Sequence, residues 1–294
     1  MRVFLGLLIA LIIITIALPI TLLYSCNISM PKTRGIERNN TQTVSSGGED
    51  VYIRVYMTKT KIVEEIELEE YVKSVVASEM PAAFEIDALK SQAIAARTKA
   101  LYHKIKYGDA GHTNHPGAEV CSGVHCQVYS SLKDLKSQHG VDWYNTYWTR
   151  IEEAVESTRG LVLVYDNVLV DPLYHSSSGG RTEDSEDVFS SEVPYLRSVE
   201  SPYEDTTNNN FTKDISIDKF VARVNTDYKC KLAKNNLKDS LKILERSEGG
   251  RVLRIKVGSK ILTGRNKRDS LGLKSANFKI TINKDTMIFT TKGY

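Results

Sequence analysis

Residues 68–102 constrain the fold most, because they hold two helical patterns separated by a proline. In the first pattern apolar residues recur at helical spacing, which predicts an amphipathic helix packed on a core. Pro81 lacks an amide hydrogen and disfavours helical geometry in the residue before it, so this helix is expected to end near Glu79. The second pattern has a face of small residues that allows close packing against a neighbour. Its members are Leu89, Ala93, Ala96, Ala100 and Leu101.

Glu79 is the candidate catalytic residue of this stretch. It is expected in the last turn of the first helix, where the helix dipole disfavours a negative charge. The nearby Val75, Val76 and Met80 disfavour the charge further. Both effects favour the protonated carboxyl, which is the form that a general acid needs near neutral pH. On the residues alone, a solvated glutamate at a helix end is the alternative.

The N-terminus predicts a membrane anchor. Residues 3–23 form an uncharged run of 21 residues, which is long enough to span a bilayer as a helix. The apolar region of a cleaved signal peptide is usually shorter. We therefore expect residues 1–26 to be an uncleaved transmembrane anchor and the polar residues 27–50 to be a flexible tether. Cys26 loosely suggests a lipidation site, although the preceding Tyr24 fits such a site poorly.

Residues 51–294 are expected to form a mixed α+β domain, because helical patterns follow strand-like stretches such as residues 51–56 and 161–165. Hydrophobic residues make up 41% of the chain and charged residues 26%, so a folded core is feasible. The net charge of +3 is too small to indicate a nucleic-acid partner. Mild basicity suits contact with an anionic cell envelope.

Residues 112–126 contain the densest group of potential metal ligands. The glycines and the proline in this region predict a loop, and thiolate and imidazole groups at this spacing suit a tetrahedral zinc site. His115, Cys121 and Cys126 are the candidate ligands, with water, His112 or His125 in the fourth position. A disulfide between the two cysteines, or two free thiols, are the alternatives.

A run of small polar residues at 176–182 is the second candidate for a functional site. Hydroxyl groups beside two glycines let a polar ligand approach the backbone closely, as sugar recognition requires. An ordinary turn is the alternative. The candidate substrate-binding residues are Ser176, Ser177, Ser178, Gly179, Gly180 and Thr182. The neighbouring His175 is interpreted as a partly buried packing residue, and the acids of residues 183–193 as a solvated charge run.

Several of these motifs resemble one known family. Ser78-Glu79-Met80-Pro81, the helical segment at 85–98 and the Ser-x-Gly-Gly-x-Thr element at 177–182 are similar to motifs of the stage II sporulation protein D family. Residues 263–278 resemble a further family element, in which Arg268 takes the arginine position. The resemblance runs from about residue 51 to the last residue. In the family a Gly-His-Gly-x-Gly-Met-Ser-Gln segment would follow, so the catalytic domain is expected to be cut short here.

The resemblance implies a fold, an activity and a location. Members of this family are membrane-anchored peptidoglycan lytic transglycosylases of engulfment in endospore-forming bacteria. It implies that Glu79 is catalytic, that the run at 176–182 lines the cleft, and that Arg268 is structural or touches the glycan. It also implies a structural zinc ion on His115, Cys121 and Cys126. The resemblance further implies that the domain lies outside the cytoplasm on the mother-cell membrane. It implies glycan strands free of stem peptides as the substrate, and an amidase and other sporulation membrane proteins as partners.

Two other functional classes stay open from the sequence. One is a zinc-dependent cell-wall hydrolase centred on His115, Cys121 and Cys126. The other is a glycan-binding activator of amidases that has no catalytic activity of its own, since such activators share this domain. One persuasive glutamate without a persuasive carboxylate partner agrees with a lytic transglycosylase, because most glycosidases need two carboxylates.

Overall fold

The computed structural model of the protein describes residues 50–189, 191–204 and 210–293. The predicted anchor at 1–26 and nearly all of the predicted tether lie outside these residues. Among the residues that are described, no helix is both long and apolar enough to cross a bilayer. The α+β class that the sequence predicts is confirmed for this part of the chain.

The described residues contain helices and strands in mixed order. The helices are α1 (Leu68–Glu79), α2 (Ile86–Tyr107), α3 (Leu132–His139), α4 (Val141–Glu156), α5 (Ser185–Val188), α6 (Ile217–Tyr228), α7 (Leu237–Ser240) and α8 (Gly264–Leu271). The first seven strands are β1 (Tyr52–Tyr56), β2 (Val63–Glu67), β3 (Gly111–His112), β4 (His115–Pro116), β5 (Val120–Cys121), β6 (Val164–Tyr165) and β7 (Val168–Leu169). The others are β8 (Asn210–Ser216), β9 (Leu241–Arg246), β10 (Val252–Val257), β11 (Lys260–Thr263), β12 (Phe278–Asn283) and β13 (Thr286–Lys292).

The first hydrophobic core is formed mainly by helices. The apolar stripe of α1 is fully buried, as its periodicity predicts, and packs against the small-residue face of α2 and the apolar side of α4. A small sheet of order β2-β1-β5 joins this core, with β1 antiparallel to β2 and parallel to β5. Met80 leaves the helix with extended backbone geometry, so α1 ends at Glu79 as Pro81 requires.

A buried ion pair connects the helices of the first core. Arg97 of α2 is 1% exposed and donates to both carboxylate oxygens of Glu69 in α1, at 2.9 Å from Nε and 2.6 Å from Nη2. The same guanidinium donates to the carbonyl of Val155 in the last turn of α4 and to the carbonyl of Leu161 after that helix, at 3.2 Å each. Arg97 belongs to the helical segment on which the family resemblance rests. Its geometry gives it a structural role at the opposite end of α1 from Glu79.

The second hydrophobic core lies in residues 215–289 and is formed by sheets and three helices, α6, α7 and α8. One sheet has the order β12-β13-β8 and another the order β11-β10-β9. Met287 and Phe289 of the central strand β13 are fully buried, and Phe220 and Val224 of α6 pack into the same core. The three strands of the second of these sheets follow one another directly along the chain over residues 241–263.

The N-terminal cap of α6 provides a test of the second core. Ser216 accepts a hydrogen bond from the Lys219 amide, as the sequence predicts for a capping residue. Ser216→Ala is expected to lower the free energy of unfolding by about 1 kcal/mol, because this amide then loses its partner. Urea unfolding followed by circular dichroism measures the change. Thr226→Ala, at an exposed position of the same helix, is the control and is expected to change the stability little.

Candidate active site and metal centre

The Glu79 carboxylate lies half-buried at the C-terminal end of α1. Its Oε1 accepts a hydrogen bond of 2.5 Å from the Val128 amide, which is 49 residues away in the chain. This contact fixes one carboxylate oxygen, and the described hydrogen bonds include none to the other oxygen, Oε2. The helix end and the apolar surroundings are where the sequence predicts them, whereas the amide donor has no signature in the sequence.

Gln127, the residue before Val128, is a buried junction between four segments. Its side-chain nitrogen donates to the Tyr71 hydroxyl at 3.0 Å and to the Ala96 carbonyl at 3.2 Å. Its side-chain oxygen accepts from the Tyr174 hydroxyl at 3.0 Å. Because all these partners are on different elements, Gln127 fixes the position of the Val128 amide relative to α1. The sequence analysis missed this residue, although it directly follows the candidate ligand Cys126.

Tyr174 is a second residue that the sequence analysis did not select. Burial, followed by the negative charge of Glu79, raises the pKa of its phenol, so the hydroxyl stays protonated. Only His175 separates Tyr174 from the start of the serine and glycine run. Tyr174 therefore brings the start of that run to the same side of the domain as Glu79. Part of His175 is exposed, yet burial lowers the pKa of its imidazole, which agrees with the expected partly buried histidine.

The three predicted metal ligands come together with a fourth group, His125. The potential ligand atoms of His115, Cys121, His125 and Cys126 all lie within 4.8 Å of one another. The Cys126 sulfur is 3.5 Å from Nε2 of His115 and 3.5 Å from Nδ1 of His125. These separations are close to the ligand-to-ligand edges of a tetrahedral zinc site, about 3.3–3.8 Å. The four residues therefore fit a zinc ion.

The surroundings of the cluster orient both imidazoles. Nδ1 of His115 lies 3.3 Å from the Ala118 carbonyl, which leaves Nε2 free to face the cluster. On His125 the remote nitrogen, Nε2, lies 3.2 Å from the side-chain amide nitrogen of Asn114, which is a donor and so does not supply the acceptor that metal binding through Nδ1 would need. The carbonyl partner of His115 is typical of histidines that bind metals, because it fixes the tautomer and the ring plane.

The chemistry of the sulfurs also suits a metal. Cys121 and Cys126 are buried free thiols, and the Cys121 amide donates to the Cys126 sulfur at 3.2 Å. The hydrogen bond between the two sulfurs lowers the pKa of the Cys121 thiol and raises that of the Cys126 thiol, so the pair favours one thiolate, on Cys121. Thiolate is the form that binds zinc.

His112 lies next to the cluster but outside the group of four. Its ring stacks on His115 with a centroid distance of 4.4 Å and meets His125 edge-on at 4.8 Å. Its Nδ1 accepts a hydrogen bond of 3.0 Å from the Asn114 amide. Of the fourth ligands left open by the sequence, the geometry therefore favours His125 over His112.

The serine and glycine run is shaped by a carboxylate that the sequence analysis missed. Glu204 accepts hydrogen bonds from the Ser178 amide at 2.6 Å, the Ser178 hydroxyl at 3.1 Å and the Gly180 amide at 2.9 Å. Ser177 and Ser178 are buried, while Ser176 is exposed. Nothing in the sequence around Glu204 indicates where this carboxylate points.

Gly179 and Thr182 fix the remainder of the run. Gly179 has a φ of +72°, and a side chain there would lie 3.2 Å from the backbone nitrogen of Gly293. Glycine is therefore required at this position by both conformation and space. Thr182 faces a neighbouring segment, since its hydroxyl accepts from the Val199 amide at 2.8 Å.

The acidic residues after this run pair with arginines. Arg197 forms ion pairs with Asp184, Glu186 and Glu192, and Arg251 pairs with Glu183 at 3.0 Å. This pairing explains the excess of acids in residues 183–193 more specifically than a solvated charge run does. The described contacts give none of these acids a place beside Glu79.

Arg268 is exposed on α8, and its guanidinium bonds the adjacent Asp269 at 3.0 Å. Its carbonyl accepts the Leu273 amide at 2.8 Å, which closes the end of the helix. Arg265 on the same helix donates to the Val188 carbonyl at 2.6 Å and so reaches the segment that follows the serine and glycine run. A glycan contact of Arg268 stays a prediction.

Glu204→Gln is expected to destabilise the domain in a pH-dependent way. Burial opposes the negative charge of Glu204, but the hydrogen bonds from Ser178 and its neighbours outweigh it and lower the pKa. A depressed pKa contributes stability above the unfolded value, and this contribution is lost as the pH falls through the folded value. We expect Glu204→Gln to cost about 2 kcal/mol at pH 7. The difference from the wild type should shrink below pH 4.5, the ordinary value for this carboxyl.

Urea unfolding of both proteins between pH 7 and pH 3 measures this effect. Glu200→Gln is the matched control, because the Glu200 side chain is 79% exposed and its ion pair with Arg181 is 3.5 Å long. An exposed pair of this kind contributes at most about 1 kcal/mol. A difference between wild type and Glu204→Gln that stays constant with pH would contradict the assigned role of the carboxylate.

Comparison with known proteins agrees with this geometry. The profile of the Stage II sporulation protein family, SpoIID, matches residues 56–165, a segment that contains Glu79 and the whole metal cluster. Stage II sporulation protein D of Bacillus subtilis (strain 168) is 36% identical over 261 residues, which is 87% of this chain and 74% of that protein. The chain belongs to the stage II sporulation protein D family.

Other relatives of the family extend the comparison. Stage II sporulation protein D of Bacillus amyloliquefaciens is 36% identical over 83% of this chain and 69% of its own length. The protein named Amidase enhancer of Bacillus subtilis is 37% identical over 124 residues, which is 42% of this chain and 14% of that protein. Membership of the family assigns the chain to sporulation and suggests a cell-wall enzyme.

Proposed function

We propose that this protein is a lytic transglycosylase that cleaves peptidoglycan glycan strands between N-acetylmuramic acid and N-acetylglucosamine. Its substrate would be glycan already free of stem peptides, and its products would end in a 1,6-anhydro sugar. It would act during engulfment, with its domain outside the cytoplasm on the mother-cell membrane. Residues 1–26 would be its anchor and residues 27–50 its tether.

The observation that carries the proposal is the environment of Glu79. One carboxylate oxygen is held by the Val128 amide, while the other is left for proton transfer. The side chain lies half-buried at a helix end, within electrostatic reach of the Tyr174 phenol that precedes the serine and glycine run. Among the described residues, no hydrogen bond or ion pair joins a second carboxylate directly to Glu79.

In this mechanism Glu79 acts twice. It first gives a proton to the glycosidic oxygen as the bond to the anomeric carbon breaks. The carboxylate then takes the proton of the 6-hydroxyl of the muramic ring, whose oxygen attacks the anomeric carbon. No water is consumed, and Glu79 ends the reaction protonated, as it began, ready for the next cleavage. The Val128 amide would stabilise the carboxylate between the two steps.

The other site residues would bind and orient the glycan. The run at 176–180 offers hydroxyl and amide groups, and Glu204 would keep its backbone in one shape. A bound zinc ion would stabilise the loop of His115, Cys121, His125 and Cys126. Because Val128 is two residues after Cys126, ordering of this loop would also position the amide that holds Glu79.

Two observations support alternative functions. The similarity to the protein named Amidase enhancer supports a glycan-binding activator as a second candidate, with an amidase as its partner. The His and Cys cluster supports a zinc hydrolase, although His125 as a fourth protein ligand would leave no open position for catalysis.

Mass spectrometry of glycan strands without stem peptides tests the proposal. The full chain is incubated with the strands, with and without a chelator. Fragments with 1,6-anhydro ends are expected in both samples, and they should form more slowly with the chelator, because loss of the ion would loosen the loop that positions the Val128 amide. Ordinary reducing ends that disappear with the chelator would instead identify a zinc hydrolase.

A binding module is distinguished by co-sedimentation with the same strands. Intact strands that sediment with the protein, with no fragments in the supernatant, would identify the glycan-binding activator. An amidase assay with and without the chain would then measure the activation directly.

A further inference from the structure

The small net charge of the chain conceals a strong separation of charge. Residues 210–293 contain 20 lysines and arginines against eight acidic residues, a net charge of +12. Residues 1–209 contain 19 against 28, a net charge of −9. The basic segment coincides with the second hydrophobic core, whereas Glu79 and the metal cluster belong to the acidic part.

Part of this positive charge is concentrated at one end of the sheet β11-β10-β9. The tip of the β10–β11 hairpin is fixed by two neighbouring segments. The Gly258 amide donates to the Ser240 carbonyl at 2.7 Å, and the Ser259 amide donates to the Cys230 carbonyl at 2.7 Å. These bonds bring the loop after α6 and the short helix α7 to the hairpin tip.

Six exposed lysines surround this tip, and we name them the hairpin-tip lysines: Lys229, Lys231, Lys238, Lys242, Lys256 and Lys260. Lys242 and Lys256 are direct partners across β9 and β10. Like charges in such a pair oppose the folding of the sheet. Asp239 lies 4.0 Å from Lys242 and offsets one of the six charges.

The backbone on both sides of Cys230 is unusual. Lys229 and Lys231 each have a φ of +52°. Lysine adopts this left-handed conformation rarely, because its Cβ then lies too close to the following carbonyl oxygen. The carbonyl of Cys230 between them is held by the hairpin tip, through both the amide and the hydroxyl of Ser259. These hydrogen bonds fix the backbone from which the two lysine side chains extend, beside the hairpin tip.

Apolar side chains are exposed on the same sheet face. Ile261 is the partner of Lys256 across β10 and β11 and is 55% exposed. Leu244, two residues after Lys242 on β9, is 47% exposed. A soluble polyanion would require the lysines alone. A mixture of lysines with exposed aliphatic side chains matches a bilayer that has anionic headgroups and an apolar interior.

We propose that the hairpin-tip lysines, together with Ile261 and Leu244, form a docking surface for an anionic phospholipid bilayer. Docking would hold the domain against a membrane surface in one orientation. The opposite charge of the part that contains Glu79 would keep that part away from the same lipids. Membrane binding by this surface does not depend on glycan cleavage. The two proposals can therefore be tested separately.

Lysine footprinting on the full chain tests this surface. The protein is mixed with vesicles of phosphatidylcholine, with or without phosphatidylglycerol, and treated with a water-soluble acetylating reagent. Mass spectrometry then gives the modification rate of each lysine. In anionic vesicles the hairpin-tip lysines are expected to react several-fold more slowly, and high salt should restore their reactivity. Lys219, Lys279 and Lys284, which are exposed elsewhere on the second core, should keep their rates.

Charge reversal provides the matched comparison. In Lys231→Glu/Lys256→Glu/Lys260→Glu, protection of the three remaining hairpin-tip lysines is expected to disappear, because each lysine near an anionic surface strengthens binding about fivefold. Lys219→Glu/Lys279→Glu/Lys284→Glu makes the same change in net charge and should retain that protection. Thermal melting checks that both variants are folded.

Three outcomes would overturn the proposal. One is equal rates for the wild-type hairpin-tip lysines in the two kinds of vesicle. Another is uniform protection of all surface lysines in anionic vesicles, which would show that only net charge matters. The third is protection by a soluble phosphodiester polymer but not by anionic vesicles, which would identify a wall polymer as the partner.

Discussion

Replacement of Glu79 by glutamine is expected to reduce glycan cleavage by about 10²–10⁴-fold, the usual contribution of a positioned acid and base. Glutamine has nearly the same shape, and its carbonyl oxygen can still accept the Val128 amide at the position of Oε1. It cannot transfer a proton at the other position. The variant should therefore keep the fold, the metal and the affinity for glycan while it loses the chemical step.

The rate of appearance of 1,6-anhydro ends, followed by mass spectrometry at saturating glycan, measures this loss. Glu153→Gln is the matched control, because Glu153 is an exposed glutamate on α4 of the same core. Its rate is expected to equal that of the wild type. If Glu79→Gln cleaves at the wild-type rate, the assignment of Glu79 as acid and base is wrong.

Loss of the metal is expected to have the largest effect on stability. A structural zinc ion binds its folded site and not the unfolded chain, so its binding free energy adds to the stability of the fold. We expect Cys126→Ser to lose the ion and to lower Tm by about 10 °C or more, which corresponds to several kcal/mol in a domain of this size. Metal analysis and thermal melting, with and without added zinc, measure both quantities.

The same variant should also cleave glycan more slowly, by about 10–100-fold. The reason is the short path from the cluster to Glu79, since Cys126, Gln127 and Val128 are consecutive. His112→Ala is the control, because His112 stacks on the cluster while Asn114 occupies its Nδ1. It should retain the ion. A purified protein without metal and with a Cys121–Cys126 disulfide would refute the zinc site.

The local features of the fold could be read from the sequence. The periodicity of α1, the stop at Pro81 and the cap at Ser216 are confirmed, because each depends on residues within one or two helical turns. The same holds for the hairpin turn at Asp166 and Asn167, whose φ angles of +49° and +63° suit these residue types. The helix α3 was missed, since only Leu135 of its residues is buried and its apolar pattern is weak.

Candidate site residues were found where side-chain chemistry identifies them. Imidazole and thiol groups within a short loop point to a metal site, and the structure brings His115, Cys121 and Cys126 together. The choice of His125 over His112 needed the ring orientations, which spacing does not encode. The charge separation behind the proposed membrane surface was present in the sequence but is hidden by the net charge of +3.

The sequence by itself determined the position of Glu79 at a helix end, the metal-binding composition of the loop and the family of the chain. Tertiary structure alone decided what holds the two functional segments in place. The Val128 amide reaches Glu79 across 49 residues, and the Glu204 carboxylate reaches Ser178 across 26. A backbone amide is the same in every residue other than proline, so no pattern of side chains marks the one that folding places beside a carboxylate.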